Sequence, residues 1–127
     1  MSGLVVLRAG PAVTIQDAGW TGTLASGLSR GGCADRRAMH EAWALLGERD
    51  TALIEMAGVG GRFRCETSLR IALTGAQMQA SLDGSTLLWG AVHFAEAGQV
   101  LDIGPAQSGV YGYLGIGGGI DTPRFLG

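Results

Sequence analysis

Between Thr14 and Asp35 the chain places an amide, Gln16, and two carboxyl groups, Asp17 and Asp35, among the glycines Gly19, Gly22, Gly27, Gly31 and Gly32. A segment so rich in glycine forms neither a regular helix nor a clean strand, and it loses much conformational freedom when ordered, so its presence points to a task. Glycine permits positive φ and close approach of the backbone to another group. The polar side chains then either hold that group, as a substrate amide, a carboxylate-bound magnesium ion or an attacking water, or only satisfy turns. Gln16 and Asp17 end a strand beside glycines, where loop residues carry function. For Asp35 the structural alternative is specific: it is placed to cap a helix that starts directly after it.

Other motifs are open to two readings as well. Gly27-Leu28-Ser29-Arg30-Gly31 has the spacing of a nucleophile elbow, but that turn needs a parallel α/β sheet with an acid and a histidine downstream, and only His40 and His93 exist. Ser29 reads as a turn serine. Gly115-Ile116-Gly117-Gly118-Gly119 fits neither dinucleotide nor P-loop spacing, and leaves an anion-binding nest of backbone N–H groups or a wide bulge. Glu55 interrupts the apolar run Leu53-Ile54-Glu55-Met56; an unpaired carboxyl in the core is costly, so strand alternation is expected to turn it to solvent. His93 lies on a predicted strand with no second ligand at metal spacing, and no metal site is expected.

The elements that must position these groups are mostly strands. Leu4–Leu7 and Val13–Ile15 flank a Gly-Pro turn, and short apolar runs recur at 52–56, 62–66, 69–74, 92–95, 100–103 and 110–116. Gln77–Leu82 alternates polar and apolar residues, turning Met78, Ala80 and Leu82 inward, and Asp83-Gly84 then suits a type I′ hairpin. From Asp35 to Leu46 the period changes: Met39, Ala42, Trp43 and Leu46 define one helical face, Gly47 closes the C-terminus, and Arg37, His40 and Glu41 are left wet. About nine strands and one helix predict an all-β fold, a closed barrel with a filled interior.

Composition agrees with that class. The 127 residues suit one domain with a single core, and 23 glycines with only 3 prolines and no Gly-X-Y period exclude collagen-like and disordered chains. The net charge of −2, without a basic patch, argues against nucleic acid. No apolar run spans a membrane and no basic region precedes Leu4, so the cytoplasm and reduced Cys33 and Cys65 are expected.

An ordered set of motifs resembles a known family: Thr14-Ile15-Gln16-Asp17-x-Gly19, Gly27-Leu28-Ser29, Gly32-x-Ala34-Asp35, Leu45-Leu46-Gly47, Ile54-Glu55, Ala72 to Ala76, Gly98-x-Val100-Leu101 and Tyr113 through Gly127. Together they look like the N-terminal part of the allophanate hydrolase subunit 2 or KipA-type biotin-dependent carboxyltransferase family, to which one component of the bacterial ATP-dependent 5-oxoprolinases belongs. The resemblance implies a cyclophilin-like β-barrel, a KipI-type partner subunit, and one of three activities: ATP-dependent cleavage of 5-oxoproline, carboxyl transfer within a urea carboxylase, or regulation of a kinase through the partner. ATP with magnesium, or biotin, is implied by the same resemblance, as is a small amide or carboxylate substrate. Family chains run well beyond Gly127, so residues 1–127 are expected to be one barrel of a longer two-barrel protein, inactive alone.

On that resemblance Gln16 would orient the substrate amide or carboxylate, and Asp17 and Asp35 would steer a metal or water. Thr74, Gly75, Gly117, Gly118, Gly119 and Asp121 would bind substrate or anion, because backbone N–H groups stabilise negative charge where it develops. This chain departs from the family at Trp20 and Trp43, where Arg and Asn are usual, and at Gly47-Glu48, where Gly-Asn is usual. The alternative is a non-catalytic regulatory barrel that binds its partner, with Trp20 as an anchor.

Overall fold

The hairpin at Asp83-Gly84 forms as its residues dictate: Asp83 has φ 49° and Gly84 φ 85°, the two positive-φ positions whose twist matches the strands they join. The computed structural model describes residues 4–16, 34–48, 53–117 and 124–125, with the backbone alone at 15, 16, 124 and 125. The elements run β1 (Leu4–Ala9), β2 (Val13–Gln16), α1 (Arg36–Leu46), β3 (Leu53–Ala57), β4 (Gly61–Cys65), β5 (Leu69–Gly75), β6 (Met78–Leu82), β7 (Ser85–Thr86), β8 (Ala91–Ala95), β9 (Val100–Ala106), β10 (Tyr111–Ile116) and β11 (Arg124–Phe125).

These strands make two sheets, ordered β11-β1-β4-β9-β6-β7 and β2-β3-β10-β5-β8. All pairs are antiparallel except β1 with β11. The mostly-β class with one substantial helix is therefore observed. Among the described residues the expected single closed barrel is not, because no ladder of hydrogen bonds runs from one sheet into the other. Alternation explains the packing instead. Leu4, Val6, Phe63, Ile103 and Leu101 of the first sheet meet Ile54, Met56, Leu114, Ile71 and Leu73 of the second in one core.

Around β3, β10 and the middle of β5 the second sheet is buried on both faces. Its other side carries Leu53, Ala72 and Tyr113, and α1 covers them with Ala38, Met39, Ala42, Trp43 and Leu46. The predicted helix is observed at the predicted place, with Arg37, His40 and Glu41 exposed. Asp35 Oδ1 accepts from Ala38 N at 3.1 Å. Gly47, at φ 72°, allows its N–H to reach Ala44 O and that of Glu48 to reach Trp43 O, the paired bonds of a Schellman close. No basic residue lies in the last turn. Arg70 of β5 supplies the missing charge, donating from Nη1 to Leu46 O at 2.9 Å.

Close approach explains part of the glycine content. A Cβ on Gly60 would fall 2.5 Å from Ile103 Cγ2, so only glycine fits the corner from β3 to β4. Gly75 combines φ 81° with Tyr111 O at 2.5 Å from a built Cβ. Gly75→Ala should therefore lower stability by about 1–3 kcal/mol, measured as a shift of the urea midpoint.

Cys65 is a free, fully buried thiol, and Cys33 lies outside the described residues. Burial, with the Asp83 charge adding to it, pushes the Cys65 thiol above its ordinary range. Folding thus favours the protonated thiol. Its contribution is complete below the pKa of the unfolded thiol and is lost as pH rises through the folded value, so stability should decline above about pH 8.5. Iodoacetamide at about pH 8 should label the Cys65 peptide slowly in the native protein and rapidly in denaturant, read by mass spectrometry.

Candidate functional site

Four residues stand in one register row across neighbouring strands: Thr14 of β2 opposite Glu55 of β3, Glu55 opposite Tyr113 of β10, and Tyr113 opposite Thr74 of β5. Directly opposed residues share a face, and this is the face that α1 covers. Glu55 is not turned to solvent, as alternation alone suggested; it is 8% exposed. Its neighbours Ile54 and Met56 occupy the core between the sheets, so Glu55 must face the helix layer, and that layer is also buried. The helix layer provides the partners it needs. Glu55 Oε2 accepts from Tyr113 Oη in a short bond and from Ala34 N at 2.9 Å. Tyr113 Oη in turn accepts from Asp35 N at 2.9 Å. Thr74 Oγ1 donates to Ala38 O at 2.8 Å.

The polar row thereby holds the start of α1. Ala34 and Asp35 leave the glycine-rich segment, and both their N–H groups end on the Glu55–Tyr113 pair. Asp35 spends one carboxyl oxygen as the helix cap, and Thr74 is committed to the first turn of the helix. Both residues thus have structural bonds in addition to any role in binding. Asp35, Gly75, Gln77, Trp89 and Tyr111 line an open cleft of about 600 Å³ at this end. Trp89 Nε1 donates to Gly75 O at 3.2 Å and Ala76 N donates to Tyr111 O at 2.8 Å, which closes this wall.

The remaining candidates gather elsewhere. Gln16, whose backbone alone is described, pairs with Leu53 and so falls in the row of Gly115 and Ala72, toward the C-terminus of α1. Gly117 N donates to Arg70 O at 2.8 Å beyond that row. Gly75 is paired with Gly112, five positions back along β10, so Gly75 and Gly117 are roughly 17 Å apart at about 3.4 Å per residue. The structure therefore places Thr74 and Gly75, beside Asp35, toward one end of the sheet and Gly117 toward the other, with Gln16 on the edge strand two rows from Thr74 and two from Gly117. Asp17, Ser29, Gly118, Gly119 and Asp121 lie outside the described residues, as does Trp20.

Two groups were missed in the sequence. One is the buried Glu55–Tyr113 pair, signalled only by a carboxyl inside an apolar run. The other is Arg70, half-exposed, which bonds Leu46 O and lies 3.6 Å from Glu48 Oε2. Its guanidinium packs against the backbone of Gly117, where a Cβ would meet Arg70 Nη2 at 3.2 Å. His93 Nε2 lies 2.7 Å from the backbone oxygen of Leu88. Among the described residues no group of three or more His, Cys, Asp or Glu is placed to hold a metal ion, and no helix is long and apolar enough to cross a membrane.

Removing one member of the pair strands the others. Tyr113→Phe takes the donor from Glu55 and the acceptor from Asp35 N, and should cost about 2–4 kcal/mol in urea unfolding. Asp35→Ala, which removes only the cap, should cost about 1 kcal/mol in the same measurement.

The chain is 35% identical over 125 residues to a 5-oxoprolinase subunit of Escherichia coli, covering 98% of this chain and 40% of that protein. It is 32% identical over 114 residues to the Haemophilus influenzae protein of the same name, covering 89% and 37%. Among solved structures, the K. lactis Urea Amidolyase superposes with a TM-score of 0.83 at 27% identity, over 98% of this chain and 8% of that one. The chain thus spans about two-fifths of the length of the curated relatives it matches. Residues 26–127 match the family described as carboxyltransferase domain, subdomain A and B, and the chain belongs to that family.

Proposed function

We propose that this chain forms one wall of a composite site in an amide-processing complex, of the ATP-dependent 5-oxoprolinase or biotin-dependent carboxyltransferase kind. The observation that carries the reading is the similarity to the Escherichia coli 5-oxoprolinase subunit across 98% of the chain. In this reading the two sheets belong to a cyclophilin-like barrel, the partner is a KipI-type subunit, and the complex is cytoplasmic.

The site proper is assigned to the end of the second sheet where β2 stops. There Gln16 offers an amide, donor and acceptor at once, to orient a substrate amide or carboxylate. Asp17 follows it and would take up a proton or align an attacking water. Gly118, Gly119 and Asp121 belong to the same reading, in which glycine N–H groups would stabilise the oxygen on which negative charge develops, beside Gly117, whose own N–H is taken by Arg70 O. The half-exposed Arg70 guanidinium adds positive potential at this end. Asp35 and Thr74 serve at the start of the helix, holding it against the sheet, and Gly75 lies beside them.

The described residues do not fit a magnesium nucleotide. They hold no carboxyl cluster, and no Lys-Ser/Thr pair follows the glycines near Gly117. In this reading the chain contributes orientation of the amide.

Gln16→Ala and Asp17→Ala, each in the complex reconstituted with its partner, should lower ATP-dependent 5-oxoproline cleavage by about 100-fold while leaving the urea midpoint unchanged. Unchanged turnover in a folded complex refutes the assignment.

A further inference from the structure

A second cleft, of about 780 Å³, opens at the margin of the first sheet, where β7 stops after two residues. β7 pairs with β6 only at Ser81 and Leu82. Leu87 N then donates to Ala80 O, and the chain turns away through Gly90, at φ 75°, to β8 of the other sheet. The first half of β6 is left beside the space that this divergence creates.

Alternation divides the lining. Met78, Ala80, Leu101 and Ile103 belong to the core, so Gln79 and Ser81 of β6 and Asp102 and Gly104 of β9 stand on the outer face. Gly104 has no side chain, and Gln79 leans over it, with Oε1 3.7 Å from where a Cβ would stand. Gln77 and Gln107 line the same cleft and are joined by Gln107 N, which donates to Gln77 O at 2.7 Å. Trp89, fixed by its indole bond to Gly75 O, lines both this cleft and the one beside Asp35. The backbone of β6 adds further groups. Gln77 O and Asp83 N bond toward β9, whereas Ala80 O accepts from Leu87 N on the other side, so the even-numbered residues direct Met78 N–H, Met78 C=O and Ala80 N–H to the cleft margin.

Charge and shape then restrict the occupant. Among the described residues that line the cleft there is no Lys, Arg or His to meet an anion, and the carboxylate of Asp102 is already held by Arg62 Nε at 2.9 Å. What remains is neutral and two-sided. A glutamine amide presents a donor beside an acceptor, and a ring that carries N–H beside C=O presents the same pair in reverse, so the two join through parallel bonds, as glutamine does with the edge of adenine. An indole gives a planar ring a surface to stack on. We infer that this cleft binds an uncharged planar cyclic amide of about the size of a pyrimidine base, with Gln79 as its paired contact and Trp89 beside the ring. The volume lies within the ordinary range of small-molecule sites. The inference stands apart from the chemistry assigned to Gln16 and Asp17, since it concerns the other sheet.

Uracil, which is uncharged and has two such edges, is the probe, titrated to about 20 mM into the isotope-labelled chain and followed by amide correlation spectra. The Gln79 side-chain amide, the Trp89 indole N–H and the N–H groups of Met78 and Ala80 should shift together and saturate with a Kd on the order of 1 mM, which a ligand of this size allows. N,N′-Dimethyluracil, which keeps the ring and loses its donors, and orotate, which adds a carboxylate, should each bind at least about fivefold more weakly. Gln79→Leu should weaken uracil by a similar factor, and circular dichroism with the urea midpoint confirms that this exposed substitution leaves the fold intact. The absence of a saturable shift with uracil overturns the inference, and saturable shifts confined to other residues overturn the site. Undiminished binding of dimethyluracil or orotate, or of uracil to the folded Gln79→Leu chain, overturns recognition through amide pairing.

Discussion

The buried contact between Glu55 and Tyr113 is the constraint on which the helix layer depends. A carboxyl group taken out of water needs donors, and here they come from a phenol on the adjacent strand and a backbone N–H of the incoming loop. The phenol oxygen then accepts from the next N–H, so two consecutive peptide groups are fixed by one pair of side chains. Satisfied in this way, the pair specifies where the chain must stop wandering and begin α1; unsatisfied, the same carboxyl would be among the most costly groups in the fold. Thr74 repeats the logic one strand over, tying the first helical turn to β5.

From that anchor the layers follow. α1 has one apolar face and must bury it, and the second sheet has a second apolar face available because Leu53, Ala72 and Tyr113 alternate with residues committed to the core between the sheets. Both helix ends are tied by β5 and its neighbours: Asp35 and Thr74 at the start, Arg70 at the finish. A helix held at both ends on this sheet separates two regions of surface. One holds the cleft beside Asp35 and Trp89. The other holds Gly117 and Arg70.

That separation changes the meaning of the candidate residues. Gln16, Asp35, Gly75 and Gly117 are close in kind, polar groups beside glycines, and nothing local distinguishes a cap from a ligand. Asp35 and Thr74 are bonded into the start of the helix and hold it on the sheet.

Much of this was legible in the residues themselves. The helix from Arg36 to Leu46, its capping aspartate, its closing glycine and the Asp83-Gly84 hairpin rest on interactions within a few positions of the chain, and periodicity reports those directly. The inward set of Met78, Ala80 and Leu82 followed from the pleat alone. Closure was beyond reach, because whether many short strands form one barrel or two sheets depends on which edges meet. So was the burial of Glu55. Alternation correctly opposes it to Ile54 and Met56, but a period of two cannot say that both faces of the sheet are covered. The partners Tyr113 and Ala34 lie 58 and 21 positions away in the chain, and only packing at a distance brings them to one carboxyl oxygen.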